Sequence, residues 1–122
     1  MRSVTLMSIF VSIATPFGNP HGVAPSKSAV VGDWEEEPGT CEGDNGISYD
    51  ANGRFFGYDY EGRWKLNGET LTTIITKRMG PDEKWRRLTT PERGVSTIVA
   101  LTRERMVERE TNGSLRHLHR CR

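Results

Sequence analysis

Three side chains near the C-terminus could do chemistry together. His117, His119 and Cys121 alternate, so in an extended strand they share one face. His-x-His-x-Cys is a spacing at which neighbouring groups can share a transition metal, because imidazole nitrogen and thiolate are both zinc-class ligands. Such a site needs a fourth ligand from elsewhere and a free thiolate at Cys121. The chain has only two cysteines, Cys41 and Cys121, and an even pair in an exported chain is most simply a disulfide. The expectation is therefore a bond between Cys41 and Cys121 and no metal. The same histidines beside Glu108 or Glu110 of a neighbouring strand can form an acid–base pair, but nothing marks a nucleophile beside them. The chain reads as a non-enzyme, and no cofactor is implied.

Two acidic, glycine-containing stretches, Glu42-Gly43-Asp44-Asn45-Gly46 and Asp50-Ala51-Asn52-Gly53, have the flavour of calcium loops. Neither has the ligand spacing of an EF-hand, and both read as turns. Charge is divided along the chain: from Asp33 to Glu61 nine acidic residues stand against Arg54 alone, and from Arg63 to Arg122 fourteen basic residues stand against seven acidic. On neighbouring strands such charges either satisfy one another across the sheet or make a dipolar surface that steers a charged partner. The net charge of +1 argues against a dedicated nucleic-acid binder.

The elements that must position these groups begin with an address. Met1-Arg2 is a minimal positive region, and Val4–Ala14 (VTLMSIFVSIA) is an apolar run close in length to a signal-peptide core and too short to span a bilayer. Ser12-Ile13-Ala14 offers a cleavage site, and Gly22-Val23-Ala24 a later one. The following stretch carries no cysteine, so a lipoprotein anchor is not indicated. The division expected is signal peptide and start of linker over 1–24, linker over 25–29 and one domain over 30–122. The address is export, to the periplasm or the extracellular space.

From Val30 onward no helical period is sustained. Short β-type runs alternate with turn signals instead. The runs cover Val30–Trp34, Ile47–Tyr49, Arg54–Tyr60, Arg63–Leu66, Thr70–Arg78, Lys84–Thr89, Ser96–Thr102, Arg105–Glu110 and Leu115–Cys121. Asn52-Gly53, Asn67-Gly68 and Asn112-Gly113 are hairpin signals. Sequential strands joined by tight turns form an antiparallel meander, and a meander this long protects its edges by closing. The fold class expected is all-β, an up-and-down barrel of eight or nine strands. Nine segments place Cys121 at the same end of the barrel as Cys41, as the disulfide asks. An odd number cannot close a purely antiparallel barrel, so one segment must be an appendage or half of a split strand. Alternation puts Phe56, Tyr58 and Tyr60 on one face, with Leu71, Thr73 and Ile75, and Thr97, Val99 and Leu101, on the same side of their strands. Trp34, Ile47, Tyr49, Trp64 and Leu66 complete the expected interior.

Gly32-Asp33-Trp34 is a G-x-W on the first strand of this meander, and Arg116 and Arg120 lie on the last. The pairing resembles the calycin superfamily, the lipocalins and avidins, in which a first-strand Trp packs under a last-strand Arg and closes one end of the barrel. A guanidinium stacked on an indole makes physical sense of that arrangement. Gly53-Arg54-Phe55-Phe56-Gly57-Tyr58 is also similar to the G-x-x-x-G strand of avidins. Where avidins place small polar groups for biotin, this chain has Glu35-Glu36-Glu37, which argues against biotin. The resemblance implies structural roles for Gly32, Trp34 and Arg116 or Arg120. It also implies a lipocalin-like module that binds a small, partly apolar molecule at the barrel mouth, touching Phe56, Tyr58, Tyr60, Trp64 and Trp85. The alternative is a secreted inhibitor or interaction protein acting through loops, with Arg78–Lys84 as the candidate. An interior filled by its own side chains favours the inhibitor; an open one favours the ligand. Neither reading involves a nucleic acid or a membrane span.

Overall fold

The computed structural model describes residues 22–121; the expected signal peptide falls almost wholly outside them. One helical turn, α1 (Lys27–Val30), is followed by eight strands: β1 (Gly32–Glu36), β2 (Gly46–Tyr49), β3 (Arg54–Phe56), β4 (Tyr60–Asn67), β5 (Thr70–Met79), β6 (Trp85–Leu101), β7 (Arg105–Glu110) and β8 (Leu115–Cys121). Each strand pairs antiparallel with the next, and β8 returns to β1, with Trp34 opposite Arg120, so the barrel closes without an edge. No helix among the described residues is long and apolar enough to cross a membrane.

The nine expected segments become eight strands by one merger, and a second boundary moves without changing the count. Lys84–Thr89 and Ser96–Thr102 belong to one strand, β6. Its register against β5 jumps from Arg87, opposite Lys77, to Glu92, opposite Ile75, so the residues between, including Pro91, bulge out. Further back, Arg54–Tyr60 is two strands, because the chain turns at residues 57–59, where the Gly57 N–H donates to the Tyr60 carbonyl at 3.0 Å. Tyr60 therefore opens β4. Gly62 sits at the β4–β5 register shift, where a Cβ would run into the Ile74 carbonyl, so the close approach requires glycine.

The disulfide between Cys41 and Cys121 is present, with Cα atoms 5.7 Å apart, although the barrel has eight strands. An odd strand count is not what brings the two cysteines together. After Glu36 the chain folds back along the outside of β1: the Gly39 N–H donates to the Glu36 carbonyl and the Cys41 N–H to a Glu35 carboxylate oxygen. That return carries Cys41 to β8, where Cys121 stands opposite Asp33.

One end of the barrel is solid. Val30, Trp34, Ile98, Leu101, Met106 and Leu118 are fully buried there. The Arg120 guanidinium lies 4.3 Å from the Trp34 ring centre. It donates to the carbonyls of Arg103 at 2.7 Å, Val31 at 2.9 Å and Ala29 at 2.9 Å, while the Trp34 indole N–H donates to Val30 at 2.9 Å. Arginine is suited to this task because a planar fork can stack and serve several acceptors at once. Residues 27–30, divided in the sequence reading between linker and barrel, form α1, capped by the Ser26 hydroxyl, which accepts from Ala29. The carbonyls of α1 and of Val31 just after it are what Arg120 and Trp34 hold. Gly32 begins β1 at φ +142, where a Cβ would collide with the Arg120 guanidinium.

Candidate functional site

The opposite half of the barrel is open. A cavity of about 600 Å³ is enclosed by β2 to β8, large enough for a drug-sized molecule. None of the six residues that fill the closed end reaches it. One wall is aromatic and aliphatic: Tyr49 and Phe55, with Ile47, Leu71 and Ile75. The rings of Tyr49 and Phe55 lie 5.3 Å apart, and those of Phe55 and Tyr60 5.2 Å apart. Trp64 supports this wall from behind, edge-on to Tyr49 at 5.3 Å, its indole N–H donating to the Asp50 carbonyl.

The facing wall is polar. Glu108 on β7 is 3% exposed. It accepts from the Ser96 hydroxyl at 3.0 Å and stands 3.8 Å from the Arg116 guanidinium on β8. Arg116 also lies 3.9 Å from Glu110. Burial pushes the Glu108 carboxyl above its usual range, while the Arg116 charge and the Ser96 hydrogen bond oppose the shift in part. Burial disfavours the Arg116 cation, but Glu108 first, and then Tyr49, Glu110 and Glu36, more than offset it. The Tyr49 phenol is raised by burial first and then by the charge of Glu108, and the Tyr60 phenol is raised chiefly by burial. Both phenols therefore stay neutral and can orient the polar end of a ligand. Arg78, held by Glu92 at 2.7 Å, and Arg93 stand at the mouth with Asp59.

The expected binding residues divide. Tyr60 lines the cavity and Trp64 backs it, but Phe56, Tyr58 and Trp85 do not reach it. Tyr58 is 56% exposed, in the turn between β3 and β4, and Trp85 is 45% exposed, at the start of β6. Phe56 faces outward, under the Arg54 guanidinium at 4.3 Å. Phe55 takes the inward position instead, because the turn at 57–59 breaks the alternation that joined Phe56 to Tyr60. The same kind of correction applies on β6. Ser96, Ile98 and Leu101 point in, not Thr97 and Val99, since the register against β7 shifts between Ile98 and Ala100. Leu71, Thr73 and Ile75 share the inward face as expected. Arg116 and Arg120 separate by role: Arg120 closes the barrel, and Arg116 lines the cavity. Ser96 was missed as a site residue, and Glu108, expected only as a partner of the histidines, faces the cavity instead; their strands, RMVERE and WRRLTTPERGVSTIVAL, are too polar for an inward charge or hydroxyl to stand out.

Comparison with known proteins finds no matching family model, no matching curated protein and no matching solved structure.

Proposed function

We propose that the protein is an exported, lipocalin-like binding module that holds a small, partly apolar molecule in the open half of its barrel. The cavity carries this reading: about 600 Å³ of space between an aromatic wall and a polar one. A barrel built only for rigidity would fill that volume with side chains, as natural interiors do. The likeness to calycins rests on Trp34 beneath Arg120, at the positions where that superfamily closes its barrels. The site holds its ligand rather than transforming it. The Ser96 hydroxyl is engaged with Glu108, and the paired charges of Glu108 and Arg116 suit a polar group set against an apolar body. The intramolecular disulfide fits an oxidising compartment.

Native mass spectrometry of the protein purified from its own host tests the reading. A retained small molecule, released on denaturation, is the expected result. Exposed Trp85 beside the β5–β6 hairpin favours the second reading, a protein partner engaged through Arg78–Lys84. Retention of a protein and no small molecule would select that one.

A further inference from the structure

The disulfide lies inside a ring of metal ligands. A carboxylate oxygen of Glu35, the sulfurs of Cys41 and Cys121, and a ring nitrogen of His119 all lie within 4.8 Å of one another. The Cys41 sulfur is 3.4 Å from the His119 Nε2 atom. Three parts of the chain converge to make the cluster: β1 supplies Glu35, the segment folded back over it supplies Cys41, and β8 supplies His119 and Cys121. Glu35 stands opposite His119 across the β1–β8 ladder, so closure of the barrel itself sets two of the ligands side by side. Glu35 is 3% exposed although it lies on the outer face of β1, because the returning segment covers it. The carboxylate is thus held in place, oriented by the Cys41 N–H. His117, the other member of the His-x-His-x-Cys series, is not in the cluster.

We propose that this cluster is a redox-gated metal site: with the disulfide reduced, Glu35, Cys41, His119 and Cys121 bind one zinc-class divalent cation. Two sulfurs, one imidazole and one carboxylate are a four-ligand set that zinc accepts in tetrahedral geometry. The oxidised protein cannot use it, since both sulfurs are spent on each other. A dithiol reductant opens the site, transferring two electrons and two protons to the Cys41–Cys121 bond and itself becoming a disulfide. The cation then displaces the two thiol protons to solvent, the neutral imidazole contributes a lone pair, and the Glu35 carboxylate contributes an oxygen. No further oxidation or reduction takes place on binding. The metal replaces the covalent bond as the clasp that holds the returning segment against β8, so reduction exchanges one clasp for another. In the other direction, a small-molecule disulfide accepts two electrons from the two thiolates and two protons from solvent, becomes two thiols, and the cation leaves as the Cys41–Cys121 bond re-forms. The pairing of Cys41 with a histidine from the far end of the chain is what the C-terminal sequence pattern alone could not supply.

The test uses the full chain, reduced with dithiothreitol, freed of reductant without exposure to air, and titrated with cobalt(II) as a spectroscopic stand-in for zinc. The expected result is a single equivalent of cobalt with thiolate charge-transfer absorption and the intense visible bands of a tetrahedral site, displaced by zinc. The oxidised protein should show none of this, and oxidation of the loaded protein should bleach the spectrum. Glu35→Gln and His119→Ala should each weaken binding by about tenfold or more, and His117→Ala should leave it unchanged. Three results would overturn the proposal. They are no thiolate-bound cobalt in the reduced protein, equal binding by the oxidised protein, or binding indifferent to Glu35→Gln and His119→Ala. The last is also the outcome if reduction unfolds the barrel and cobalt merely bridges two thiols in a loose chain.

Discussion

Arg120→Lys should cost far more than an arginine-to-lysine change on a surface strand. The guanidinium donates to three carbonyls, of Ala29, Val31 and Arg103, and stacks 4.3 Å from the Trp34 ring centre. A lysine ammonium keeps the charge but is compact and cannot span three acceptors that surround a flat fork. Two of the three bonds are lost. Charge-assisted bonds are worth about 1.5–3 kcal/mol each when buried, and about 1 kcal/mol each is the fairer figure for this part-exposed site. Loss of the stacking adds about 1 kcal/mol, for a total of roughly 3 kcal/mol. For a domain of this size that corresponds to a fall in Tm of roughly 12–24 °C. Urea and thermal unfolding followed by circular dichroism read it directly, with Arg87→Lys as the exposed control, expected within about 0.5 kcal/mol of the parent. Repeating the change in a Trp34→Phe background should show the two losses to be coupled by about 1 kcal/mol. A cost below about 0.5 kcal/mol for Arg120→Lys would refute the idea that this residue closes the barrel.

Thiol counting under denaturing conditions without reductant should find no free thiol. Serine at both Cys41 and Cys121 should lower stability by up to about 4 kcal/mol through the longer freedom of the unfolded chain. Because burial raises the Glu108 carboxyl, the folded state keeps a proton that the unfolded chain has already released, so stability falls as pH rises from the ordinary carboxylate range. Glu108→Gln removes that loss, and its stability relative to the parent should climb from about pH 4 upward; a gap independent of pH would contradict the assignment. Tyr60→Phe should weaken retention of a ligand with a polar end by about 1–3 kcal/mol and leave stability nearly unchanged. Tyr58→Phe should alter neither, since that ring lies outside the cavity.

The barrel was legible because turn chemistry is local. Asn52-Gly53, Asn67-Gly68 and Asn112-Gly113 each close a hairpin, and Leu71, Thr73 and Ile75 at alternate positions of β5 point inward. The aromatic face was misjudged where a turn had no strong signal. Gly57-Tyr58-Asp59 reads as a continuation of a strand, and only the pairing of Phe55 with Gly62 sets the parity of β3. Register shifts within β5 and β6 are tertiary decisions of the same kind, and they move Ser96 and Ile98 to the inside in place of Thr97 and Val99. Trp34 could be identified from its place on the first strand, but choosing Arg120 over Arg116 required knowing which end of β8 meets α1. Glu108 was weighed only as a partner for the histidines of β8, and Arg116 only as a candidate to stack on Trp34. Their inward placement depends on β7 and β8 being adjacent walls of a cavity, which no local pattern encodes.

A small, partly apolar molecule held in the open half of the barrel can be sought directly. The direct measurement is a fluorescence titration with the neutral apolar probe N-phenyl-1-naphthylamine, on the parent protein and on Thr73→Phe. Thr73 lines the cavity, so a phenyl group there occupies space that is already empty and should leave Tm close to that of the parent. Saturable binding of one probe per chain is expected, abolished by Thr73→Phe and kept by Trp85→Ala. Failure of the parent to bind, or equal binding by the folded Thr73→Phe variant, would contradict it.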